Sequence, residues 1–135
     1  MYYDYFQHDA DIGVIGRGVS VEEAFTQAAV ATFAIMADLT AFNPIQTVQV
    51  QFEEADVELA LATWLNLLLG EAHQAGLVFS RFRLQRDGDR WKGEADGAPW
   101  QAGMEPGVEV KGATLTMLRV EKKNAGWEAR CVVDV

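Results

Sequence analysis

The chain has 135 residues, half of them apolar, with 20 acidic against 11 basic side chains and a formal net charge of -9. That length suits one domain whose core needs no staples, and a single cysteine, Cys131, rules out an internal disulfide framework. The charge balance argues against strong nucleic-acid binding, which draws its affinity from Lys and Arg displacing counterions from phosphates, and suits cations and basic protein surfaces instead.

Tyr2 to Phe6 is short and aromatic and reads as an edge strand. Asp11 to Arg17 reads as a second strand, with Ile12 and Val14 on one face and Asp11 and Gly13 on the other. Ser20-Val21-Glu22-Glu23 has the form of a capping box, so a first helix is predicted over Val21 to Asp38, with Phe25, Ala28, Thr32 and Met36 along its apolar stripe. Thr47 to Glu53 alternates, Val48, Val50 and Phe52 inward. Asp56 is a suitable N-cap for a second helix that ends at Gly76. Its longest apolar stretch, Leu59 to Leu69, is broken by Thr63 and Asn66 and is too short to span a bilayer.

Val78 to Arg86 is predicted as a strand with Val78, Phe82 and Leu84 on one face and Phe79, Arg81 and Arg83 on the other. Asp87-Gly88 signals a hairpin, Trp91 to Asp96 the return strand, and Gly97 to Gly107 a loop. Val108 to Glu121 carries the longest strand pattern, and Trp127 to Val135 the last. This order predicts an α+β domain over 1–135, two helices packed in two layers on one mixed, largely antiparallel sheet. With no basic n-region and apolar h-region at the start and one thiol, a cytoplasmic protein is expected.

Chemistry concentrates in His8-Asp9-Ala10-Asp11. In an extended chain Asp9 and Asp11 share a face, with Gly13 leaving space beside Asp11. Read alone, these residues also make an ordinary polar turn. Asp134 ends a similar strand. If Asp11 and Asp134 meet at about 5 Å, their repulsion is about 3 kcal/mol at an effective dielectric near 20. A proton, a base or a hard cation such as Ca²⁺ would relieve it, with an oxygen of Val135 as a further ligand. Zinc is a poorer match, since His73 and Cys131 lie on other elements and no Cys-x-x-Cys or His-Glu-x-x-His pattern occurs. Lys111 reads either as an exposed strand lysine or as a charge beside the carboxylates. Arg81, Arg83, Arg86 and Arg90 read as a solvated face.

The succession His8-Asp9-Ala10-Asp11-Ile12-Gly13, Ser20-Val21-Glu22-Glu23-Ala24-Phe25, Met36-Ala37-Asp38-Leu39, Trp64-Leu65-Asn66-Leu67-Leu68, Phe79-Ser80-Arg81-Phe82, Val110-Lys111-Gly112-Ala113-Thr114 and Val133-Asp134-Val135 resembles the archease family over nearly the whole chain. The resemblance implies a small non-catalytic partner of an RtcB-type RNA ligase, assisting its guanylylation and repeated turnover in tRNA splicing and RNA repair. It implies a divalent-metal site, calcium in known cases, at Asp11 and Asp134, an opening strand that comes together with the last strand, and a partner-facing patch that includes His8, Asp9 and Lys111. The family usually has His-Thr-Ala-Asp where this chain has His8-Asp9-Ala10-Asp11, and many members have Tyr-His at Leu115-Thr116. Two other functions fit the residues: a metal-dependent phosphoester hydrolase with His8 as general base, and a chaperone-like helper of RNA-modifying enzymes.

Overall fold

The structure, a computed structural model, describes residues 2–101 and 104–135. In chain order the elements are β1 (Tyr3–His8), β2 (Asp11–Gly18), α1 (Val21–Met36), β3 (Gln46–Glu53), α2 (Val57–Ala75), β4 (Leu77–Asp87), β5 (Arg90–Pro99), β6 (Gly112–Ala113), β7 (Arg119–Lys123) and β8 (Gly126–Asp134). Local chemistry sets the helix ends. The Ser20 hydroxyl accepts from the Glu23 amide at 3.1 Å, and Asp56 accepts from the Glu58 and Leu59 amides. Gly76 closes α2 in the left-handed region at φ 67°.

The α+β class is as expected, but the expected single mixed sheet is replaced by two antiparallel ones. The first runs β1-β2-β8-β6, with β7 also paired to β8; the second runs β3-β5-β4. The two helices touch strands of both sheets, so the expected two layers become sheet, helices and sheet. The cause lies in α1, which is apolar on two sides. Ala24 and Ala28 admit Gly16 of β2 so closely that a Cβ there would strike the Ala24 carbonyl and the Ala28 amide. Phe25 stacks on Trp91 of β5 at 5.2 Å, and Phe33 meets Phe79 and Phe82 of β4 at 5.4 and 5.5 Å. The buried Trp64 indole N–H donates to the Phe25 carbonyl at 3.0 Å and ties α2 to α1.

Gly16→Ala is therefore expected to cost about 3 kcal/mol, because helix backbone rather than a flexible side chain must move. Gly70→Ala, inside α2 with nothing within 4 Å of the new methyl, is expected to stabilise by about 0.5–1 kcal/mol. Urea midpoints of the two variants check the contrast.

Two strand readings change. A register shift between Phe79 and Arg81 interrupts β4 at Ser80, so Phe79 and Phe82, expected on opposite faces, both pack on Phe33. The expected long strand Val108 to Glu121 is reduced to β6 and β7. Ala113 pairs with Val133 and Arg119 with Arg130, so residues 114–118 lie opposite only Cys131 and Val132. They loop out through Met117 at φ 53°, held by the Thr114 amide on the Val132 carbonyl at 3.0 Å. The expected Gly97–Gly107 loop begins later, since β5 runs to Pro99; its residues 102 and 103 lie outside the described residues.

Candidate functional site

Antiparallel pairing of β2 with β8 sets Ile12 against Val133 and Val14 against Cys131, and these four side chains face the core. Continued one residue past its last pair, this register brings Asp11 opposite Asp134, on the other face. Opposed side chains on one sheet face have Cβ atoms about 4.5–5.5 Å apart. The Val135 amide donates to Asp11 Oδ1 at 3.3 Å, fastening the end of β8 to the start of β2. The acids from the two ends of the sequence therefore share one end of the sheet, on adjacent interior strands.

The other residues singled out fall around this pair in different ways. His8 pairs with Asp11 across the β1–β2 hairpin. Asp9 does not share a face with Asp11, because the chain reverses there. Asp9 takes φ 52° in the turn, a conformation that Asp tolerates better than most side chains. Its carboxylate is 92% exposed and lies 3.8 Å from His8 Nδ1. The space expected beside Asp11 is covered, since a Cβ on Gly13 would strike the Phe6 ring. Lys111 precedes β6 instead of lying mid-strand, and its amide donates to the Asp134 carbonyl at 2.8 Å. Its side chain is exposed.

Electrostatics leave the acidic pair uncompensated. Among the described residues no Lys, Arg or His lies within 4.0 Å of either carboxylate, while six of the eleven Lys and Arg side chains pair with other acids. Arg17, Lys123 and Arg130 gather on Glu128. Arg83 binds Asp96 and Glu94, and Arg90 binds Glu53. The arginine group is the solvated face expected of it, Arg83 and Arg90 paired with acids and Arg86 lying over the Trp91 ring at 4.6 Å.

The donor set suits a hard cation bound by oxygen, with water completing the shell. Among the described residues no three His, Cys, Asp or Glu side chains converge, so protein ligands beyond Asp11 and Asp134 would be carbonyl oxygens. Apart from His8, the nitrogen and sulfur candidates lie elsewhere. His73 sits near the end of α2, 3.9 Å from Glu109, and Cys131 is buried on the core face, where burial pushes its thiol up to about 12.

One residue was absent from the site expected from the sequence. Asn66, on the α2 surface, accepts from the Ala113 amide at 2.8 Å and donates to the Ala113 carbonyl at 3.1 Å. Its signals in the sequence are a carboxamide interrupting a leucine-rich helix and a place in the Trp64–Leu68 stretch that carries the family resemblance.

Comparison with known proteins agrees with this fold. Residues 3–135 match the archease protein family (MTH1598/TM1083). The protein archease of Thermococcus gammatolerans is 37% identical, with 98% of each chain covered. That of Methanosarcina mazei is 32% identical, covering 98% of this chain and 95% of its own. The solution structure of Methanobacterium thermoautotrophicum protein 1598 superposes with a TM-score of 0.89 at 28% identity over 99% of each chain. A Thermotoga maritima crystal structure, described as an archease and possible chaperone, shares the fold at a TM-score of 0.69 and 21% identity, covering 96% of this chain and 94% of its own. With a family match spanning nearly its whole length and relatives above 30% identity, the chain belongs to the archease family.

Proposed function

We propose that this archease is a non-catalytic accessory protein that holds a divalent cation, calcium first among them, at Asp11 and Asp134. Through the surrounding patch of His8, Asp9 and Lys111 it would promote guanylylation and repeated turnover of an RtcB-type RNA ligase. The observation that carries this reading is two carboxylates, in no ion pair among the described residues, at the ends of adjacent strands. Family membership supports an accessory role. A bound cation would supply positive charge that lets both acids stay ionised close together; no chemistry of substrate is assigned to it. The residues act by binding and orientation. The Val135 amide steadies the Asp11 carboxylate, and the Lys111 amide steadies the Asp134 backbone. The basic surface of a protein that handles RNA is a natural complement to an acidic tip on a chain of net charge -9.

Calorimetric titration with calcium tests the site, and a multiple-turnover ligation assay with and without the protein tests the role. Saturable calcium binding by the wild type, weakened at least tenfold in Asp11→Asn, together with faster ligase turnover, is expected. A wild type that neither binds calcium nor changes ligase turnover would overturn the reading.

A further inference from the structure

β6 is only two residues long. It pairs with β8 through Gly112 against Asp134 and Ala113 against Val133, and the chain leaves regular structure on both sides of it. So short a strand cannot hold its own position, and it forms the edge of the first sheet. Its outward edge presents the N–H and C=O of Ala113, a peptide with no further strand among the described residues to pair with. The Asn66 side chain meets both groups, Oδ1 accepting at 2.8 Å and Nδ2 donating at 3.1 Å. A carboxamide carries a C=O acceptor and an N–H donor on separate atoms, as a peptide does, so Asn66 takes the place of a neighbouring strand for one residue.

We infer that Asn66 is a positioning residue for the acidic site. By clamping Ala113 from α2, it holds the Lys111–Gly112 segment against the end of β8, where the Lys111 amide bonds the Asp134 carbonyl at 2.8 Å. The inference rests on the proposed function for its consequence, since what is positioned is Lys111 relative to Asp134. The clamp itself stands on the geometry alone. Asn66 is exposed and contributes nothing to the buried core cluster, so its loss loosens β6 without dissolving the fold.

The test compares wild type, Asn66→Ala, Asn66→Asp and Asn66→Gln by amide hydrogen exchange, thermal melting and calcium calorimetry. Aspartate keeps the acceptor for the Ala113 amide but faces the Ala113 carbonyl with a second oxygen, whereas glutamine keeps both groups on a longer arm. The alanine and aspartate variants are expected to exchange the Lys111 and Ala113 amides about tenfold faster, the effect of about 1.4 kcal/mol of lost local structure. Their melting is expected to stay near wild type, calcium binding to weaken several-fold, and glutamine to restore part of both. Unchanged Lys111 exchange in Asn66→Ala and Asn66→Asp overturns the clamp. Faster exchange with calcium affinity equal to a calcium-binding wild type overturns the positioning role and leaves the proposed site standing. If the wild type binds no calcium, the proposed function is what fails, and Lys111 exchange alone then decides whether Asn66 holds the segment. A general structural role would instead lower the melting temperature and speed exchange throughout the sheet.

Discussion

Alanine at Asp134 is expected to abolish stimulation of an RtcB-type ligase while leaving the metal-free protein at least as stable as the wild type. The sign of the stability change is the informative part. Asp134 is exposed, its carboxylate takes part in no ion pair among the described residues, and its backbone bonds remain in the variant. Removing the charge deletes a repulsion from Asp11 of up to about 3 kcal/mol at 5 Å and an effective dielectric of 20. In calcium the order reverses, because a ligand at a hundred times its dissociation constant stabilises the wild type by about 2.7 kcal/mol and has lost half its carboxylates in the variant. Asp11→Ala should behave alike in the ligase assay but start from a lower stability, since it also removes the acceptor for the Val135 amide. Melting curves with and without calcium, run beside multiple-turnover ligation, measure all of this. Full stimulation by both variants, or a melting order that calcium does not alter, would sink the proposed role of the acids.

What was readable before the fold was known follows a physical line. Helix ends were readable because their chemistry is local: Ser20 and Asp56 satisfy amides two or three residues on, and Gly76 relieves a left-handed backbone at its own position. The hairpin near Gly88 was readable for the same reason, Gly88 taking φ 61°, although the turn is Gly88-Asp89, one residue later than expected, because Asp87 pairs with Arg90. The division into two sheets was not, because the alternation of β3 or β5 shows which side chains face inward and not which sheet they join. Nor was the interruption at Ser80, where a register shift turns Phe79 from the Arg81 face to the Phe82 face.

The acidic site divides in the same way. Periodicity put Asp11 and Asp134 on the outward faces of their strands, but their meeting depends on β2 pairing with β8 across more than a hundred residues. Only the family resemblance implied that pairing. Asp9 was misplaced because alternation assumes an extended chain, and the hairpin reverses at that residue. Phe6 over Gly13 and Asn66 on Ala113 escaped notice because each matters only through a partner on another element.

The second large effect concerns the face that carries the acidic pair, at its far end. Glu128 is buried at 5% exposure. It accepts from Arg17 Nε at 3.1 Å and from a terminal guanidinium nitrogen of Arg130 at 2.8 Å, and Lys123 Nζ stands at 3.1 Å. Burial by itself pushes this carboxyl up, and it is the largest single influence. Arg130, Lys123 and Arg17 together outweigh it and bring the group from 4.5 down to about 2. A group depressed on folding stabilises the native state above its unfolded value and loses that contribution as pH falls through its folded value. Glu128→Gln is therefore expected to cost about 3 kcal/mol at neutral pH, with Arg17, Lys123 and Arg130 left facing one another. The gap should be full above pH 4.5 and shrink as the pH falls toward 2, because over that range the unfolded chain's carboxyl is protonated while the folded one begins to be. Asp96, held down to about 2 chiefly by its hydrogen bonds from Arg83, titrates over the same range, but it does so in both proteins and leaves the difference untouched. Urea unfolding of the pair at pH 7, 4.5 and 3 measures it. A gap that fails to narrow between pH 4.5 and 3 would show that Glu128 acts there through its shape and not its charge.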